Sequence, residues 1–108
     1  MYRILIVDDE EMIVEGLRFL IERGVPECEL AGVAYDGQEG IAAAMALRPD
    51  IILTDIRMYQ MDGIDMIRQL QERGLKARYI ILSGYAEFSY ARQALQLGVE
   101  EYITKPVE

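Results

Sequence analysis

A parallel sheet with helices on both faces is predicted for this chain of 108 residues by three features. Five short apolar runs are separated by four segments of helical periodicity, and such alternation implies parallel strands joined by helical crossovers. The runs are rich in Ile, Leu and Val, as expected of strands buried on both faces. Gly, Asp-Gly and Pro stand at the junctions, where a chain changes direction.

The elements follow in order. Residues 3–7, Arg-Ile-Leu-Ile-Val, form a first strand that stops at Asp8-Asp9-Glu10-Glu11. Asp9 is placed to cap the helix that follows, and Glu10 and Glu11 suit the positive end of its dipole. Met12, Ile13, Leu17, Leu20 and Ile21 recur at helical spacing. Gly24 stops this helix. Residues 30–34 make a weaker second strand, and Asp36-Gly37 turns the chain. Residues 38–47 are alanine-rich and helical, with Ile41, Ala44, Met45 and Leu47 inward, and Pro49 closes the segment.

The third strand, residues 51–54, runs straight into Asp55. Its shortness and the preceding Pro49-Asp50 speak against a helix. Asp55 is therefore expected where a buried strand emerges. After Asp62-Gly63, residues 64–73 form a third helix with Ile64, Ile67 and Leu70 apolar, ended by Gly74. Residues 77–82 give a fourth strand that ends at Ser83-Gly84. Residues 86–97 give a fourth helix, stopped by Gly98, and residues 100–104 a short fifth strand that leads into Lys105-Pro106. No helix follows the fifth strand, although one follows every earlier strand.

Composition narrows the function. One domain of this length buries a core without staples, and 52% apolar with 28% charged residues is a globular balance. The single cysteine, Cys28, excludes an internal disulfide and reads as a small, buried or half-buried apolar residue. Histidine is absent, which removes imidazole zinc sites, histidine general bases and phosphohistidine on this chain. A net charge of −8 argues against this domain gripping nucleic acid or an anionic membrane. With no secretory leader and no run long enough to span a bilayer, a cytoplasmic chain is expected.

The polar residues that directly follow the strands share one edge if the strands are parallel. They are Asp8 and Asp9 after the first, Asp55 after the third, Ser83 after the fourth and Lys105 after the fifth. Open α/β sheets place their chemistry at that edge. Crowded carboxylates repel, and a hard divalent cation such as Mg²⁺ relieves the repulsion through oxygen ligands. Lys105 adds a compact positive charge and Ser83 a hydroxyl donor. Such a set suits phosphoryl transfer onto a carboxylate oxygen, with Asp55 of the central strand as nucleophile.

On these residues the chain resembles the receiver domain of two-component response regulators over its whole length. The motifs are Ile-Leu-Ile-Val-Asp8-Asp9-Glu10, Leu53-Thr-Asp55-Ile-Arg57-Met58 with Met61-Asp62-Gly63, Leu82-Ser83-Gly84, and Lys105-Pro106. The resemblance implies a flavodoxin-like (CheY-like), doubly wound sheet of five strands in the order 2-1-3-4-5. It implies that Asp55 accepts a phosphoryl group from a sensor histidine kinase. Asp8, Asp9 or both would help hold Mg²⁺, Asp9 more directly, with Asp55 and the backbone carbonyl of Arg57 completing the protein ligands. Ser83 and Lys105 would bind phosphoryl oxygens. Ser83 would then move, Tyr102 would rotate inward, and the fourth helix and fifth strand would carry the output.

The stretch Leu82-Ser-Gly-Tyr85-Ala-Glu-Phe88-Ser-Tyr90-Ala-Arg-Gln-Ala-Leu95 is similar to receivers attached to AraC-type DNA-binding domains. Two departures stand out. Tyr59 occupies the place of a usual proline, which predicts a looser loop or an altered phosphoryl lifetime. The fifth helix of the family is missing from residues 1–108, which predicts bare apolar surface beside the first helix, and either a piece of a longer protein without its effector domain or a homodimer or element-exchanged dimer. A phosphohydrolase resembling the haloacid dehalogenases would need an acid/base aspartate two residues past the nucleophile, where Arg57 stands. A flavodoxin would need a hydroxyl-rich phosphate loop where Asp8-Asp9 stands. The chain is therefore expected to be a switch and not an enzyme that turns over a substrate. Met12, Met45 and Met66 read as packing or surface, Glu10, Glu11 and Glu15 as a solvated helix face, and the Arg57 side chain as exposed with only its carbonyl engaged.

Overall fold

The computed structural model describes residues 1–84 and 88–104. The elements are β1 (Tyr2–Val7), α1 (Glu11–Gly24), β2 (Cys28–Ala34), α2 (Gly37–Leu47), β3 (Ile51–Thr54), α3 (Gly63–Glu72), β4 (Arg78–Ser83), α4 (Phe88–Leu97) and β5 (Glu101–Thr104). The strands form one sheet in the order β2-β1-β3-β4-β5, and every pairing is parallel. This is the doubly wound order implied by the resemblance.

Side-chain alternation along each strand sorts the core into two layers. Ile4 and Ile6 of β1 pack with Val14 and Ile21, so α1 covers one face. Leu5 and Val7 point the other way and join Ile41 and Ala44 of α2, Ile64, Met66, Ile67 and Leu70 of α3, and Ala94 of α4. On the α1 face the sheet is incompletely covered. Ile51, Leu53 and Ile80 are half-buried, and Ile103 is 42% exposed.

One expectation for α1, its cap, needs correction, and its spacing left the buried side open. Met12 and Leu20 do not face inward: they are 88% and 50% exposed, while Val14 is fully buried. Seven apolar residues spread around this helix leave its rotation undetermined by periodicity alone. The sheet selects the stripe through Val14, Leu17 and Ile21. Nor is Asp9 the cap. Glu10 occupies that position without a side-chain cap, and its N–H donates to Asp8 Oδ1 at 2.9 Å. α2 and α3 do carry aspartate caps: Asp36 accepts from the Glu39 N–H and Asp62 from the Asp65 N–H, each at 2.8 Å.

β2 begins at Cys28, two residues before the apolar run suggests, because β1 pairs with it from Tyr2 onward with a register shift between Ile4 and Leu5. Cys28 is half-buried against the α1 layer. Among the described residues no helix is long and apolar enough to cross a membrane.

Candidate functional site

Register brings the site together. Val7 of β1 is paired with Thr54 of β3, so the residues that follow, Asp8 and Asp55, leave the sheet side by side. The backbone holds both: Asp8 N–H donates to Ala34 O and Asp55 N–H to Val7 O, each at 3.0 Å. Ser83, the last residue of β4, is fully buried at the same edge. Asp8 and Asp55 are 2% and 5% exposed, values rare for carboxylates.

One carboxylate oxygen from each of Asp8, Asp9, Glu10 and Asp55 lies within 4.8 Å of the others. Charges this close repel strongly unless a cation or a proton offsets them. The donors are all hard oxygens, two on buried residues and two on exposed ones. That set fits Mg²⁺, which takes oxygen ligands and keeps several waters on its open side. Backbone groups orient the buried pair. Ile56 N–H donates to Asp55 Oδ1 at 2.7 Å, as Glu10 N–H does to Asp8.

The loop after Asp55 is pinned by α3. Gly63 N–H donates to Ile56 O at 2.7 Å, and Thr54 Oγ1 donates to Asp55 O at 2.9 Å. A Cβ on Gly63 would lie 2.0 Å from the Asp55 carbonyl oxygen, so only glycine permits this approach. Farther along, Tyr59 is 72% exposed, and Met61 N–H closes a tight turn onto Tyr59 O at 2.8 Å. Gln60 takes a left-handed φ of 67° in that turn, an uncommon conformation for a residue with a Cβ.

Of the residues singled out in the sequence, Asp8, Asp9, Asp55 and Ser83 come to one edge. Tyr102 is half-buried against the α2–α4 layer, paired with Ile81 two residues before Ser83. Lys105, Pro106 and Tyr85 lie outside the described residues. Arg57 requires a correction. Its side chain is exposed, as expected, but it is not idle: Nε lies 3.4 Å from Tyr90 Oη, and Cζ lies 6.0 Å from the Tyr90 ring centroid. Glu10, read as part of a solvated helix face, is exposed yet contributes an oxygen to the acidic group. Its adjacency to Asp8-Asp9 was the available signal. The place of Gly63 was signalled by Asp62-Gly63 at a helix start. The Arg57–Tyr90 contact joins residues 33 apart and carries no local signature.

The sequence matches the response regulator receiver domain family over residues 4–108. It is 37% identical over 106 residues to the transcriptional regulatory protein YesN of Bacillus subtilis, covering 98% of this chain and 29% of YesN. The chain thus spans less than a third of that relative. The receiver domain of AraT, a response regulator from Geobacillus stearothermophilus, superposes with a TM-score of 0.88 at 36% identity, over 99% of this chain and 83% of that one. A chain from the CheX–CheY–BeF3–Mg²⁺ complex of Borrelia burgdorferi gives a TM-score of 0.88 at 28% identity, over 99% and 80%. With the fold, the acidic edge and the match over nearly every residue in agreement, the chain belongs to the response regulator receiver domains of two-component signalling.

Proposed function

We propose that this domain is a phosphoryl-accepting switch in which Asp55 is the acceptor. The observation that carries the reading is the buried Asp55 at the end of β3, grouped within 4.8 Å with the carboxylates of Asp8, Asp9 and Glu10. A carboxylate oxygen of Asp55 attacks the phosphorus of a phosphohistidine on a sensor kinase. The P–N bond breaks, the imidazole leaves with the electron pair, and an aspartyl phosphate forms. The Ile56 N–H bond to Oδ1 fixes the carboxylate for that attack.

Mg²⁺ would be held by Asp8, Asp9, Asp55 and the carbonyl of Arg57, and when bound it neutralises charge on the transferring group. The likeness to a CheY solved with Mg²⁺ and BeF3 supports that choice of ion. Ser83 donates its hydroxyl to a phosphoryl oxygen, and Lys105 supplies a positive charge. The phosphoryl group is accepted and later lost to water on the same chain, so no separate substrate turns over. Ser83 and Tyr102 then relay the change toward α4 and β5, which form the output surface.

In the cell the domain works in the cytoplasm, with a sensor histidine kinase upstream. Its effector is an AraC-type DNA-binding domain, and transcription is the output; YesN, a transcriptional regulatory protein, supports this. The partly bare face over β3, β4 and β5 is open to a second copy or to an exchanged element, and light-scattering mass checks for either dimer.

Incubation with acetyl phosphate and Mg²⁺, read by intact mass, tests the central step. Wild type gains the mass of one phosphoryl group, and Asp55→Asn or withholding Mg²⁺ abolishes the gain. An Asp55→Asn protein that still gains the mass would sink the assignment.

A further inference from the structure

Arg57 connects two parts of the molecule that the proposed chemistry leaves separate. Its neighbour Ile56 donates to the Asp55 carboxylate at 2.7 Å and accepts from Gly63 N–H at 2.7 Å. Arg57 is thus carried on a peptide segment tied to the acidic site. Its guanidinium reaches across to α4 and meets Tyr90 through both the hydroxyl, at 3.4 Å, and the ring, at 6.0 Å. Other described anchors of α4 lie toward its end: Ala94 is fully buried, and Gln71 Nε2 donates to Leu97 O at 2.8 Å. Tyr90, half-buried against the α2–α4 layer, is the described anchor of the first turns.

We infer that the Arg57 side chain is a charge-responsive tether. It holds Tyr90 and the start of α4 while Asp55 is unmodified, and it lets go when negative charge accumulates at Asp55. This rests on the phosphoacceptor reading of Asp55. The two contacts with Tyr90 are weak: a long hydrogen bond to a neutral hydroxyl and a cation at the outer range for a ring. A phosphoryl group two residues away adds about −1.5 to −2 charge and strong acceptor oxygens. Bonds from a guanidinium to such oxygens are roughly twice as strong as neutral ones. Arg57 is exposed and its guanidinium sits on a flexible stem, so the charged head can change partners without leaving the surface. A weak restraint is suited to the task, because a modest difference in free energy then shifts the population. Arginine serves both partners, stacking on an aromatic ring in one state and forking onto an oxyanion in the other.

Hydrogen exchange on peptides covering residues 88–97, with intact mass read on the same samples, tests the tether. Wild type, Arg57→Gln, Tyr90→Leu and the double variant are compared before and after acetyl phosphate with Mg²⁺. Before treatment each single variant exchanges roughly two- to fivefold faster than wild type. The double variant is no faster than either single, because all three lose the same contact. After treatment the wild type rises by more than the variants do, because only the wild type still has the contact to lose, while a change relayed through Ser83 and Tyr102 is common to all four. If Tyr90 served only as packing, Arg57→Gln would leave exchange at the wild-type level, and that result overturns the tether. A double variant faster than both singles also overturns it. A mass gain with no larger rise in wild type than in the variants overturns the release step and leaves the phosphoacceptor reading standing. Absence of a mass gain in wild type overturns the phosphoacceptor reading, and the release step with it.

Discussion

Helices α3 and α4 cover the same face of the sheet and are held in different ways. α3 buries Ile64, Met66, Ile67 and Leu70, is capped by Asp62, and starts with a glycine pressed against the Asp55 backbone. Among its described side chains α4 fully buries only Ala94, while Leu95 is 73% exposed. On the function proposed above, the difference separates two tasks. A carboxylate that must meet a metal and a phosphoryl donor needs a backbone fixed to within a fraction of an ångström, and α3 supplies that. A surface that must report a change of charge needs an element whose local opening costs little, and α4 has the sparse anchoring such elements show.

Gly63→Ala strikes this contrast hardest. The new Cβ would meet the Asp55 carbonyl oxygen at 2.0 Å, and that atom is backbone that cannot rotate away. Either β3 or the start of α3 has to shift. The expected cost is about 3 kcal/mol or more, at the upper end for an overpacked interior position. Urea denaturation measures it. The surviving folded protein should also accept phosphoryl groups poorly, because the shift passes directly to Asp55. A loss below about 1 kcal/mol would mean that α3 is free to slide and that the contrast with α4 is false.

A matched pair of truncations is next in size. Leu70→Ala removes a fully buried side chain of α3, and about 2–5 kcal/mol of stability should go with it. Leu95→Ala on α4 removes a side chain that is 73% exposed, and the change should stay within about 0.5 kcal/mol. Equal losses at the two positions would show that Leu95 is covered in solution, as a homodimer across α4 would cover it.

Much of this arrangement was legible in the chain, for physical reasons that differ by residue. Ile51 to Thr54 could be read as a buried strand because four residues with strand propensity end abruptly in a charge, and the structure pairs them on both sides. Parallel strands alone put Asp8 and Asp55 on one edge, whereas their adjacency needs β1 beside β3, an order implied by the resemblance and present in the sheet. The rotation of α1 was not legible, because Met12, Val14, Phe19 and Leu20 offer more apolar positions than one face can bury. Only packing on Ile4 and Ile6 selects among them. The tie from Arg57 to Tyr90 was invisible for another reason: it depends on how α4 lies against the β3–α3 loop, and neither side chain is of a type that demands a partner at the surface.

Tyr79 gives the smallest of these effects and probes the cluster that α3 and α4 share. Its ring is buried with Leu70 and Ala94, 3% exposed, and among the described residues its hydroxyl has no hydrogen-bond partner. A buried hydroxyl left unpaired is a cost that removal relieves, so Tyr79→Phe should stabilise the fold by about 1 kcal/mol at neutral pH. Burial also pushes the phenol pKa above its ordinary value of 10.0. Above that ordinary value the unfolded chain loses the phenolic proton while the folded chain keeps it. The folded state then binds more protons, and stability must fall as pH rises. At neutral pH both states are protonated and this contribution is intact. Tyr79→Phe should therefore flatten the decline in urea midpoint between neutral pH and about pH 11, without changing the acid side. If the substitution lowered stability at neutral pH and left the alkaline slope unchanged, the hydroxyl would have to be partnered and solvated. The cluster between the two helices would then be looser than α3 alone suggests.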